Sequence, residues 1–283
     1  MRPLSGLDAA FLYLEIPRAP MHVAALSIFE TGRGGVRLDF PTLRAHVAAR
    51  LHRVRTYRER LVMVPLNLGH PYWIEDPDFN LDHHLAHVRL PAPGGWPELR
   101  AVMADVISRP LDHARPLWEM VFIEGLETVP GAPPGSVALI GKVHHAASDG
   151  LAGGAMLGVI LDPTPEPGPT ADPPSWQPKP APGDLAVLAR TSRDTLRLPR
   201  EAFDLLSATV RSAVKLPFVP RAMGVRSLPW LYAGPRTSLN LPVSARRTWD
   251  CCTIALDRIK AVKDQMPGIT VNDVILALSL IHI

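Results

Sequence analysis

Apolar residues along the chain fall into two kinds of repeat, and each predicts its own element. The run His22–Phe29 (HVAALSIF) reads as a strand, as do Leu117–Ile123 and Val137–Val143. Apolar positions recur at helical spacing over Pro41–Val54, with Pro41 placed for a first turn, and over Trp96–Ile107, with Pro110 beyond its end. A Gly/Pro-rich loop, Pro130–Gly135, separates the last two strands. Leu151–Leu161 is helix-like again. Strands and helices mixed in this order predict a layered α/β (α+β) domain over residues 1–162.

Punctuation sets the remaining organisation. Nine prolines lie between Pro163 and Pro182, a density that neither a helix nor a central strand survives, so 163–184 is expected to be an extended crossover linker. Helical character resumes over Leu185–Leu216, interrupted at Pro199. Thr248–Leu256 reads as a strand, and Asp257–Gln265 as a short helix with Asp257 as its cap. A further helix starts at Thr270–Asp273 and meets no terminator. We therefore expect 185–277 to be the start of a C-terminal domain cut short. Residues 278–283 (LSLIHI) resemble a translated sequencing adapter and are expected to be a non-native tail.

Composition narrows the class. Of 283 residues, 47% are hydrophobic and 20% charged, as in a globular protein. A formal net charge of +3 gives no case for nucleic acid. The N-terminus lacks a secretory core, and no stretch approaches the ~20 apolar residues of a membrane span. Cys251 and Cys252 are adjacent, so they cannot staple distant segments; a reducing compartment and a buried, inert pair are expected. Between Arg190 and Arg226, eight Arg/Lys face three Asp/Glu. That segment reads first as a solvated face and second as a surface for anionic lipid.

The densest chemistry lies at His144-His145-Ala146-Ala147-Ser148-Asp149-Gly150, where a strand turns toward a helix. A histidine is neutral and basic near pH 7 and can hold a hydroxyl proton while the oxygen attacks a carbonyl. Two consecutive strand residues point to opposite sides, so His144 and His145 should not share that task equally. Asp149 can fix the turn, and Gly150 suits close backbone approach. A second histidine-rich stretch, Asp82-His83-His84-Leu85-Ala86-His87, has no metal-site spacing and reads as structural. No G-x-S-x-G elbow and no phosphate-binding glycine loop is present, so serine hydrolysis and nucleotide binding have no support.

HHAASDG resembles the H-H-x-x-x-D-G signature of CoA-dependent acyltransferases. More narrowly, the chain resembles the bacterial wax ester synthase/diacylglycerol acyltransferase family. Ser5, Asp8, Phe11 and Glu15 match its S-x-x-D-x-x-F-x-x-x-E opening. Pro116-Leu117-Trp118, Pro235-Arg236-Thr237 and Val271-Asn272-Asp273-Val274 match further blocks, so the likeness runs from Pro3 to Ala277. The resemblance implies a chloramphenicol acetyltransferase-like two-domain fold, with the second domain incomplete here. It implies an O-acyltransferase moving a long acyl chain from acyl-CoA, a co-substrate, to diacylglycerol or to long-chain alcohols, with no cofactor and no metal. His145 is then the general base, His144 its support, Asp149 a structural residue, and Gly150 a spacer beside the substrate. Asn272 and Asp273 shape the cleft, and Pro116, Leu117 and Trp118 are scaffold or acyl-pocket residues. The expected place is the cytoplasm, peripherally on the inner membrane or lipid droplets; oligomeric state is left open. The rivals are a condensation-type acyltransferase acting on carrier-bound donors and a catalytically incomplete fragment that coats lipid droplets.

Overall fold

The computed structural model describes residues 1–31, 38–148, 158, 160–162, 176–196, 243–266 and 268–281. They form two compact units, Met1–Arg247 and Thr248–Ile283. In the first unit, strands β1 (Arg2–Pro3), β3 (Glu59–Val62) and β4 (Tyr72–Glu75) make a small sheet in the order β1-β4-β3. Strands β2 (His22–Phe29), β5 (Leu85–Arg89), β6 (Trp118–Glu124) and β7 (Val137–His144) make a larger one, ordered β2-β7-β6-β5. Strand β7 is central and antiparallel to both neighbours, whereas β5 runs parallel to β6. The mixed α/β class expected from the pattern is what is observed.

Strand alternation sorts the larger sheet's side chains into two faces. One face carries Val137, Leu139, Trp118, Met120 and Phe122 and packs on Leu43, Val47, Leu51 and Tyr57. Those four come from helix α2 (Phe40–Arg50) and the two 3-10 turns after it, Leu51–Arg53 and Arg55–Tyr57. The helix expected to reach Val54 thus ends at Arg50. Tight turns replace its last residues and aim both Leu51 and Tyr57 into the same core.

The opposite face holds His22, Lys142 and His144, of which His22 and Lys142 reach helix α3 (Trp96–Ser108) through the Ile107 and Val106 carbonyls. The Lys142 side chain is fully buried, with Nζ 2.6 Å from Glu119 Oε2 and donating to the Val106 and Arg109 carbonyls at 3.0 and 3.1 Å. The carbonyls of the last turn of α3 have no intrahelical donors left; this ammonium supplies one to Val106 O, and His22 Nε2 reaches Ile107 O at 3.1 Å.

Helix α1 (Gly6–Leu14) sits over the small sheet through Leu4, Ala9, Leu61 and Trp73, with Leu117 and Ala147 in the same cluster. Helix α4 (Asp184–Thr195) falls where the sequence places the start of a second domain. It packs Val187 against Val64 and Tyr72 of the first unit, and Tyr72 donates its hydroxyl to Asp194 at 2.9 Å. The basic stretch expected over 190–226 lies largely outside the described residues, as do Asp149, Gly150 and most of 151–161.

The second unit departs from expectation. Residues 248–255 form no strand, and Cys251 and Cys252 are exposed rather than buried. A strand needs a neighbour for its backbone groups, and the described residues of this unit supply only helices α5 (Leu256–Asp264) and α6 (Val271–Ile281). Asp257 lies in the first turn of α5, and the cap is Ala255.

Replacing Lys142 with Ala leaves Glu119 only the longer contact to Arg109 at 3.6 Å and removes the donor to the Val106 and Arg109 carbonyls. The stability loss should be on the order of 3 kcal/mol, measured by urea unfolding. A change under a few tenths would show that the ammonium contributes little.

Candidate active site

The histidine doublet sits where β7 runs out. His144 ends the strand with extended backbone angles, and residues His145–Ala147 turn at once into a 3-10 helix. Both neighbouring strands hold this corner. The His144 N–H donates to Leu117 O at 3.0 Å, and the His145 N–H donates to Met21 O at 2.9 Å. Leu117 belongs to the Pro-Leu-Trp block, so that block's first contribution is a carbonyl that fixes the doublet's height.

Strand parity separates the two rings. The His144 side chain has no solvent exposure and turns toward Glu15. Its Nδ1 accepts from the Ala146 N–H at 3.0 Å, which leaves the proton on Nε2. Nε2 points at Glu15 Oε2, 3.4 Å away, a long and mainly electrostatic contact. Burial pushes the His144 imidazole down to about 4; the Glu15 carboxylate opposes that shift and His113 adds to it. His22, paired across the strands with His144, is also lowered, first by burial and then by the charge on Lys142.

His145 faces the other way. Its ring is half-buried and stacks on Phe11 with centroids 4.7 Å apart and planes 16° from parallel. A stacked imidazole is held in plane while its edge stays available. The corner therefore contains one histidine locked in the interior and one presented at a surface.

Glu15 and Phe11 are the functional residues that residue-by-residue reading missed. They stand four apart around the C-terminal end of α1, the spacing that puts two side chains on one side of a helix. Phe11 supports His145. Glu15 accepts the Met21 N–H at 3.0 Å through Oε1 and contacts His113 Nε2 at 2.7 Å and His144 through Oε2. The N-terminal S-x-x-D-x-x-F-x-x-x-E pattern thus divides by task. Ser5 caps the helix, accepting from the Asp8 N–H at 3.1 Å and donating to Asp8 Oδ2 at 2.6 Å, while Phe11 and Glu15 hold the doublet. His113 had no signal in the sequence, because it reaches Glu15 from a turn 98 residues away.

Glu15, His113 and His144 bring a carboxylate oxygen and two ring nitrogens within 4.8 Å of one another. Their chemistry suits shared protons rather than a cation. A metal-bound imidazole donates from its second nitrogen, and in His144 that nitrogen accepts from Ala146.

The other candidates fall as follows. Asp149 and Gly150 lie outside the described residues. Asn272 and Asp273 are exposed and belong to the second unit. Asp273 closes a reciprocal cap at the start of α6. Its Oδ2 accepts from the Thr270 N–H and hydroxyl, both at 2.7 Å, and its own N–H donates to Thr270 Oγ1 at 3.3 Å. These bonds hold its carboxyl below the usual value. The Asp82–His87 stretch, read as structural, spans a 3-10 turn (Leu81–His83) leading into β5. His84 is buried, stacked on Trp118 with centroids 4.5 Å apart, and His87 pairs with Glu124 at 2.8 Å. His84 and His87 serve separate partners.

The model of the wax ester synthase/diacylglycerol acyltransferase catalytic domain matches residues 4–275. The chain belongs to this family. A Mycobacterium tuberculosis relative carrying the name diacylglycerol O-acyltransferase is 34% identical over 280 residues, 98% of this chain and 57% of the relative. A shorter M. tuberculosis relative of the same name is 33% identical over 265 residues, 92% of this chain and 94% of its own length. Among solved structures, the wax ester synthase/diacylglycerol acyltransferase from Marinobacter aquaeolei matches with a TM-score of 0.58 and 28% identity, covering 96% of this chain and 57% of that one. The chain therefore spans a little over half the length of the first of these relatives. Among the described residues, no helix is long and apolar enough to cross a membrane.

Acid should unfold this family member through its interior histidines. The folded His144 pKa lies below its unfolded value, so its contribution is full above pH 6.5 and is lost as pH falls toward about 4. His22 and His84 shift in the same direction. The urea midpoint should be clearly lower at pH 5 than at pH 7.5. Equal midpoints would mean that these rings are not held neutral.

Proposed function

We propose that this protein is an O-acyltransferase that moves a long acyl chain from acyl-CoA to the free hydroxyl of diacylglycerol, and also to long-chain alcohols. One observation carries the reading: the doublet presents a single ring, His145, flat on Phe11, while its neighbour is buried with a fixed tautomer. Acyl transfer to an alcohol needs one such base, aimed and accessible.

In this reading His145 takes the hydroxyl proton as the oxygen attacks the thioester carbonyl. The C–O bond forms, the C–S bond breaks, and the imidazolium returns the proton to the departing thiolate. Protons balance within the ring, and no enzyme-bound acyl group is required. His144 does not touch substrate. It holds the turn that aims His145, through Ala146 on one nitrogen and Glu15 on the other. Asp149 has the same supporting task, and Gly150 leaves room beside the acceptor. Asn272 and Asp273 are kept as substrate-binding candidates on the strength of the family pattern alone. No cofactor takes part, and acyl-CoA enters as co-substrate. Because both substrates are lipids, the protein works on the cytoplasmic surface of the inner membrane or of a lipid droplet, held peripherally.

His145→Ala should lower transfer of radiolabelled palmitoyl from its CoA ester to diacylglycerol by about a hundredfold or more, with little change in the unfolding midpoint. His144→Ala should lower the midpoint as well, since it empties a buried position. Unimpaired transfer by the His145 variant would sink the assignment.

A further inference from the structure

Gly141 sits in the middle of the central strand of the larger sheet, where glycine is unfavourable. Nothing in the backbone calls for it. Pairing runs unbroken through it on both sides, to Ala25 on β2 and Met120 on β6, so there is no bulge. Nor does it lie among the residues of positive φ. What remains is space: a glycine without bulge or strain marks a place where something approaches the sheet closely.

That space exists. Gly141 and Ala25 are directly paired, so two adjacent strands carry their smallest side chains at one point of one face. A 150 Å3 hollow lies over them. Tyr57 and Trp118 stand beside it, Met120 lines it, and Val23 and Val143 border it. The two aromatic walls are rigid: they meet edge to face at 5.0 Å, Trp118 Nε1 donates to Tyr57 O at 3.0 Å, and His84 is stacked on Trp118. An apolar cavity of this volume holds a six-carbon body such as benzene. Val23 is 41% exposed, so the hollow is open along the edge strand.

Its direction is set by the strand. Gly141 and Val143 share a face, and His145 follows Val143 by two. The hollow thus lies about 13 Å along the chain from the presented imidazole. A short acyl group with its carbonyl at His145 stops before reaching it, and a long one does not. We infer that the hollow over Gly141 and Ala25 takes the methyl end of a long fatty acyl chain, and that Gly141 is a chain-length determinant. This inference rests on the acyl-transfer reading above and adds to it where the donor's tail goes.

The test uses the full chain with two donors, palmitoyl-CoA and hexanoyl-CoA. In Gly141→Val the ratio of kcat/KM for the long donor to that for the short one should fall about tenfold, as expected when one or two buried methylenes lose their place. Gly141→Ala should give a smaller fall in the same direction and guards against a valine variant that folds poorly. A ratio unchanged in both variants, even with uniformly lower rates, means that Gly141 serves packing alone and overturns the inference. A second readout does not depend on turnover. Palmitoyl-CoA brominated at its terminal carbon should quench tryptophan fluorescence more than the isomer brominated beside the carbonyl. The difference should vanish in Trp118→Phe and shrink in Gly141→Val. Equal quenching by the two isomers also overturns the inference. Tail-specific quenching without transfer from either donor would instead leave the hollow assigned and remove the acyl-transfer reading.

Discussion

Everything at the candidate site depends on how helix α1 holds the end of β7. One carboxylate, Glu15, gathers the Met21 N–H, the His113 ring and the buried His144 ring, while the carbonyl of the same Met21 accepts the His145 N–H. One turn earlier on the helix, Phe11 lies flat under His145. The helix that carries these two side chains is itself fastened by Ser5 at its start and by Ala9 in the core. A segment far from the doublet in sequence thus determines which ring is presented and which is enclosed.

Alternation along β7 then assigns the rest. Residues on one side, Lys142 and His144, carry buried polar atoms: Lys142 meets Glu119 and the carbonyls at the end of α3, while His144 accepts from Ala146 and faces the Glu15 carboxylate. Residues on the other side, Leu139, Gly141 and Val143, face the apolar core and the hollow beside it. A single strand therefore serves as a polar wall behind the site and an apolar floor in front of it. A one-residue slip of register would exchange the two.

Much of this was legible beforehand. Strand β2 runs from His22 to Phe29 as expected, and α3, β6 and β7 lie within a residue of their expected bounds, because each has several apolar residues at one clear period. The four-residue strands β3 and β4 were not seen. Glu59–Val62 and Tyr72–Glu75 are too short to show a period and exist because they pair with each other. The expected strand at Thr248–Leu256 failed for the converse reason: it has a strand's composition and no partner among the described residues. At the site, the doublet and the opposite orientation of its two rings were visible from parity alone. Phe11 and Glu15 stood in a recognised pattern, yet their task emerges only once α1 is packed against the turn. His113 could not be found, since its only link to the site is spatial.

The claim at the centre is that His144 is enclosed, neutral and fixed as the Nε2–H tautomer between Ala146 and Glu15. Nitrogen-15 NMR of the labelled imidazole, assigned with a His144→Gln variant, reads this directly. The account predicts a protonated Nε2 and an unprotonated Nδ1 at pH 7, with no charging of the ring as pH falls through 6 and 5. A proton on Nδ1, or a ring that titrates near 6.5, would contradict it.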